Sequence, residues 1–152
     1  MIEFFKDEYA FLSNFYPSPI GVQFGDGTSV VAPTAEHFFQ CLKTPSVEEE
    51  IAILTAPTPD EAKRLGRKCH LQENWEEIKD NAMYATLVYK FTIPELREKL
   101  LATGDEYLEE GTYWHDNYWG NCHCEKCADI KGQNKLGLLL MEIREDIRNG
   151  RI

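Results

Sequence analysis

The sequence has no apolar run near the roughly 18 residues that a bilayer-spanning helix needs, so membrane insertion through a helix is not expected. It is poor in positive charge, with 16 Lys and Arg against 26 Asp and Glu and a formal net charge of −10. Nucleic-acid affinity comes mainly from Lys and Arg neutralising phosphates, so this balance disfavours general DNA or RNA binding. A local basic cleft stays open, because net charge does not describe the field inside a cleft. Cysteine is sparse and odd in number, at 5. The first ten residues carry Glu3, Lys6, Asp7 and Glu8 and do not read as a secretion signal, so a cytoplasmic protein is expected. In that setting an odd count argues against a disulfide framework and leaves reduced thiols or a metal site. Repeats, low-complexity tracts and linkers are lacking too, and one domain over 1–152 is expected.

What is present is a globular composition with a clear division along the chain. Residues 1–33 mix aromatics with Gly, Pro, Ser and Asn. They predict short strands at Glu3–Phe5, Val22–Phe24 and Ser29–Ala32, the last two paired around Gly25-Asp26-Gly27. Helical periodicity then takes over. Thr34 caps a helix to about Lys43, Ser46-x-x-Glu49 and Thr58-x-x-Glu61 are capping boxes, and Pro59 fits a first helical position. Longer helices are predicted over about Gln72–Phe91, from Pro94 to Gly104, and over about Asn134–Asn149. Glu106–Glu110 reads as a strand and 111–133 as irregular. The class is α+β, a predominantly helical domain with a small antiparallel sheet.

Five places carry residues suited to chemistry. Phe11-Leu12-Ser13-Asn14-Phe15-Tyr16 sets aromatics around one amide, fit to stack on a heterocycle and read its edge, or simply to fill a turn. Glu36 lies in a first helical turn, where an acid compensates the helix dipole; beside Phe38 and Phe39 it could also be desolvated and raised toward acid–base use. Lys63-Arg64-Leu65-Gly66-Arg67-Lys68 is the one dense basic cluster, suited to a phosphate or to a helix C-terminus. Trp75 and Lys79 share a helical face, and Trp114-His115-Asp116-Asn117-Tyr118-Trp119-Gly120 reads as a pocket wall. Cys122-His123-Cys124-Glu125-Lys126-Cys127 has zinc-knuckle spacing, with His115, His123 or a distant cysteine as fourth ligand; the other reading is a reduced thiol-rich loop.

In order and spacing these segments resemble the NADAR, or YbiA-like, family. The blocks include Phe11-Leu12-Ser13-Asn14-Phe15, Pro33-Thr34-Ala35-Glu36-His37-Phe38-Phe39-Gln40, Ala62-Lys63-Arg64-Leu65-Gly66-Arg67, Asn74-Trp75-Glu76-Glu77-Ile78-Lys79, Tyr118-Trp119-Gly120 and Gly132-Gln133-Asn134-Lys135-Leu136-Gly137. The resemblance implies an N-glycosidase acting on phosphoribosylamino-pyrimidine intermediates of riboflavin biosynthesis. It also admits ADP-ribosyl hydrolysis on modified guanine, and a non-catalytic nucleotide-binding module is the reading outside enzymes. By the same motifs the family's conserved Glu falls on Glu36, its Trp on Trp75, and its Asp and Trp on Asp116 and Trp119. In an N-glycosidase mechanism Glu36 is then expected to stabilise the sugar cation and Asp116 to handle water or a proton. Trp75, Trp119 and Phe15 are expected to stack on the base with Asn14 reading its edge, Arg64, Arg67 and Lys79 to contact the phosphate, and Lys43, Tyr118, Gly120 and Asn134 to bind the substrate. Catalysis is expected to need no cofactor. A small nucleotide-like substrate is the expected partner, with modified DNA under the ADP-ribosyl alternative. Zinc at His115, Cys122, Cys124 and Cys127 would be structural.

Overall fold

The structure, a computed structural model, describes residues 1–152. Two strands come first, β1 (Pro17–Gln23) and β2 (Ser29–Thr34), followed by four helices: α1 (Ala35–Cys41), α2 (Val47–Leu54), α3 (Pro59–Lys68) and α4 (Trp75–Lys90). Then come α5 (Pro94–Ala102), the two-residue strands β3 (Gly111–Thr112) and β4 (Asn121–Cys122), and α6 (Lys135–Arg148). Short 3-10 helices cover Asp7–Leu12 and Glu125–Cys127. The predominantly helical α+β class with a small antiparallel sheet is therefore correct. The chain gathers into two units, Asn14–Lys90 and Met1–Ser13 with Phe91–Ile152.

In the Asn14–Lys90 unit, β1 and β2 form the expected antiparallel hairpin, with Ile20 opposite Ala32 and Gln23 opposite Ser29. β1 begins five residues before the expected Val22. Ser18 and Ile20 point inward while Pro17 and Pro19 face out, a period-2 pattern that edge-strand prolines masked. Three helix starts obey their caps: Thr34, Ser46 and Thr58 accept the N–H of His37, Glu49 and Glu61. Ile20, Ala32, Phe38, Cys41, Ile53, Leu54, Ala56 and Ala62 make the core. α1 ends at Cys41 rather than Lys43. All seven of its residues are buried, among them Glu36, His37 and Gln40.

In the other unit, Ile2 bridges Leu108, and the predicted strands at Glu3–Phe5 and Glu106–Glu110 shrink to that single bridge. The strand appears at Gly111–Thr112 instead, paired in parallel with Asn121–Cys122 inside the segment expected to be irregular. α6 has no side-chain cap. The N–H groups of Lys135 and Leu136 go to the carbonyls of Tyr118 (3.1 Å) and Trp119 (2.9 Å), which ties the aromatic loop to the helix start. Leu136, Leu140, Ile143 and Ile147 line its buried face. Arg144, buried with them, donates to Thr103 Oγ1 (2.8 Å) and the Glu106 carbonyl (2.9 Å).

Candidate active site

A buried polar helix is costly unless its groups are paired, and the polar groups of α1 differ in how far they are. His37 is satisfied structurally: Nδ1 meets Thr34 Oγ1 at 2.8 Å and Nε2 meets the Ala56 carbonyl at 3.0 Å. A carbonyl can only accept, so Nε2 carries the proton and Nδ1 accepts from the Thr34 hydroxyl. Glu36 is different. Its backbone N–H is held by the Asn14 carbonyl at 2.9 Å, and its carboxylate accepts one bond, from Gln40 Nε2 at 2.7 Å. Burial pushes its carboxyl above the ordinary range, opposed by the Gln40 bond and then by the charges of Lys63 and Lys43.

Two lysines act on this carboxylate by their charge, Lys63 and Lys43. Lys43 is itself lowered by burial, and the nearby Glu36 pulls it back up, while Arg67 and Lys63 lower it further. The Lys43 ammonium stands 6.0 Å over the Phe39 ring, and Lys63 stands 6.0 Å over Phe15. Phe39 also meets Trp75, with centroids 5.5 Å apart and planes at 51°. Asn14 is 6% exposed; its amide nitrogen donates to the Met83 sulfur at 3.3 Å, and its Oδ1 has no partner. Gln40 Oε1 is likewise unpartnered, but it rests against Gly66, where an added Cβ would collide with it. Gly66 thus lets α3 approach α1 closely, and Asn14 Oδ1 is a buried acceptor with no partner of its own.

The expected phosphate contacts separate. Lys43 acts on Glu36 by its charge and Arg67 acts on Lys43, whereas Arg64 turns to the exposed side of α3 and pairs with Glu61. Lys79 pairs with Glu76 at 2.6 Å on α4.

In the other unit, Asp116 Oδ1 accepts the N–H groups of Tyr118 (3.0 Å) and Trp119 (2.9 Å), shaping their turn. The two rings meet edge to face at 4.8 Å. Gly120 is needed for space, since a Cβ there would strike the Glu110 carbonyl. The Asn134 amide is spent on backbone: Oδ1 accepts from Glu110 N–H (2.9 Å) and Nδ2 donates to the Leu108 carbonyl (2.9 Å). All five cysteines are free thiols. Cys122 is held low, at about 6: burial would raise it, and hydrogen bonds from the Cys124 and His115 backbone and neighbouring thiols outweigh that.

The sequence pattern of the NADAR domain matches residues 3–148. This chain belongs to the NADAR family. An N-glycosidase named YbiA from Shigella flexneri is 39% identical over 145 residues, covering 93% of this chain and 84% of that protein. The NMR structure of YbiA from Escherichia coli superposes with a TM-score of 0.78 at 36% identity, covering 99% of this chain and 89% of that one. A maize chloroplast protein named riboflavin biosynthesis protein PYRR is 33% identical over 97% of this chain, which spans 25% of its length. The enzyme class follows from the family: an N-glycosidase. No helix is long and apolar enough to cross a membrane.

Within this NADAR site, sequence reasoning missed Gln40 and Lys63 as partners of Glu36, and Gly66 as the residue against which Gln40 rests. Gln40 was findable, because it lies one helical turn beyond Glu36 on the same face. Lys63 and Gly66 were not, because their role depends on how α3 packs on α1.

Proposed function

We propose that this NADAR enzyme hydrolyses the N-glycosidic bond of a phosphoribosylamino-pyrimidine, giving ribose 5-phosphate and the free aminopyrimidine. The supporting observation is a buried carboxylate, Glu36, under the charges of Lys63 and Lys43 and on a helix held by Asn14, whose amide oxygen has no partner. In the reaction the ribosyl C–N bond breaks, and the bonding pair leaves on nitrogen, which takes a proton. Water oxygen bonds to the sugar carbon and gives up its own proton. Positive charge builds on the sugar between those events, and a desolvated carboxylate stabilises it strongly because little solvent screens the interaction. Glu36 takes that role. Lys43 and Arg67 answer the phosphate, Phe15 and Trp75 offer ring faces to the base, and Asn14 Oδ1 accepts from an amino group on its edge.

The riboflavin naming of the maize relative favours a pyrimidine over an ADP-ribosyl adduct. The test offers both substrates and identifies the released sugar by mass. Ribose 5-phosphate from the pyrimidine supports the reading; ADP-ribose from modified guanine, or tight binding without product, overturns it.

A further inference from the structure

Three cysteines within six residues, Cys122, Cys124 and Cys127, take no part in the glycosidase chemistry. His115 Nδ1 stands 3.3 Å from Cys124 Sγ and 3.4 Å from Cys127 Sγ. With Cys122 added, the four donor atoms all lie within 4.8 Å of one another. A tetrahedral zinc with Zn–S of about 2.3 Å and Zn–N of about 2.0–2.1 Å would place nitrogen about 3.6 Å from each sulfur and the sulfurs about 3.8 Å apart. The two His115–sulfur distances are close to that spacing, and every other pair lies within 4.8 Å. His123, the other histidine considered from the sequence, is placed elsewhere: its ring lies 5.0 Å from Phe4 and its Nε2 3.3 Å from Glu109.

The backbone around the cluster is braced as well: the Asn117 amide oxygen accepts Cys122 N–H at 2.8 Å, and Cys127 N–H donates to the Cys124 carbonyl at 3.1 Å. His115 sits at φ 68°, a left-handed conformation that turns its ring onto the cysteines.

The loop has a reason to need a fastener. Tyr113 and Trp114 on it are 61% and 57% exposed, so burial of apolar surface holds it weakly. β3 and β4 are two residues each.

We propose that His115, Cys122, Cys124 and Cys127 bind one zinc ion in a closed tetrahedral site that fastens the 113–127 loop. Three thiolates and one imidazole are a zinc donor set, and four protein ligands leave no open position, which makes the site structural rather than catalytic. The proposal is independent of the substrate reading.

The test is metal content of the full chain, expressed with added zinc and purified under reductant. About one zinc per chain is expected, kept by Cys69→Ser, whose thiol lies outside the cluster, and lost by Cys124→Ser. Cys124→His, which preserves a ligand, is expected to retain the metal, so a folding failure of the serine variant leaves the question decidable. Cobalt replacing zinc should give the intense visible bands of a tetrahedral thiolate site. The proposal is overturned by wild-type chain that carries no zinc, by zinc content unmoved in a Cys124→Ser, Cys127→Ser double variant, or by an octahedral cobalt spectrum.

Discussion

Glu36 couples chemistry to stability. Because burial raises its carboxyl above the ordinary value, the folded chain binds that proton more tightly than the unfolded chain does. Stability from this group is therefore fully present below the ordinary glutamate range and falls as pH rises from there toward the raised value. Glu36→Gln keeps the shape and can still accept from Gln40. It is expected to melt about 2–4 °C higher than wild type near pH 8, on the order of 1 kcal/mol, with the gain vanishing near pH 4. Thermal melts across that range check it; a wild type that is the more stable partner at high pH would contradict the burial argument. Gln40 donates the bond that pulls the Glu36 carboxyl down. Gln40→Leu is expected to move the acid limb of kcat/KM to higher pH, and a limb that stays put or moves down would show that Glu36 does not set it.

Between elements, the decisive contact is α3 on α1 at Gly66. A methyl there meets the Gln40 carboxamide, buried and unable to swing into solvent. Gly66→Ala is expected to destabilise the fold by about 1–3 kcal/mol and to shift the acid limb in the same direction as Gln40→Leu. Denaturant melts and pH profiles of the two variants test that shared cause. At the start of α1, Thr34→Ala removes the acceptor for His37 N–H (3.1 Å) and the hydroxyl that meets His37 Nδ1. A loss of about 1–2 kcal/mol is expected by chemical denaturation. The caps were legible in the sequence because capping is a local pattern: Ser46, Thr58 and Thr34 each accept the amide three residues on. The start of β1 was not, because Pro17 and Pro19 read as turn residues until an edge strand gives them a place. The start of α6 was hidden too, since its free amides are met by carbonyls of Tyr118 and Trp119, a long-range partnership with no local signature.

Across the whole chain, the family pattern over 3–148 and the helical α+β class were both readable before any coordinates, since ordered motifs survive where single residues are ambiguous. Glu36 shows the limit. Alone it was an acid near a helix start, as well explained by the dipole as by catalysis. Burial of all seven residues of α1 distinguishes it, because His37 finds two structural partners while the Glu36 carboxylate is left with one donor and distant cations. The net charge of −10 concealed this local basic setting, since a sum over the chain says nothing of where Lys43, Lys63 and Arg67 meet. The most direct measurement of the central claim is ribose 5-phosphate release from the phosphoribosylamino-pyrimidine by wild type and by Glu36→Gln, both verified as folded. The expected result is a fall in kcat of about 10²–10⁴-fold in the variant, with the wild type turning over; release by Glu36→Gln at the wild-type rate would contradict it.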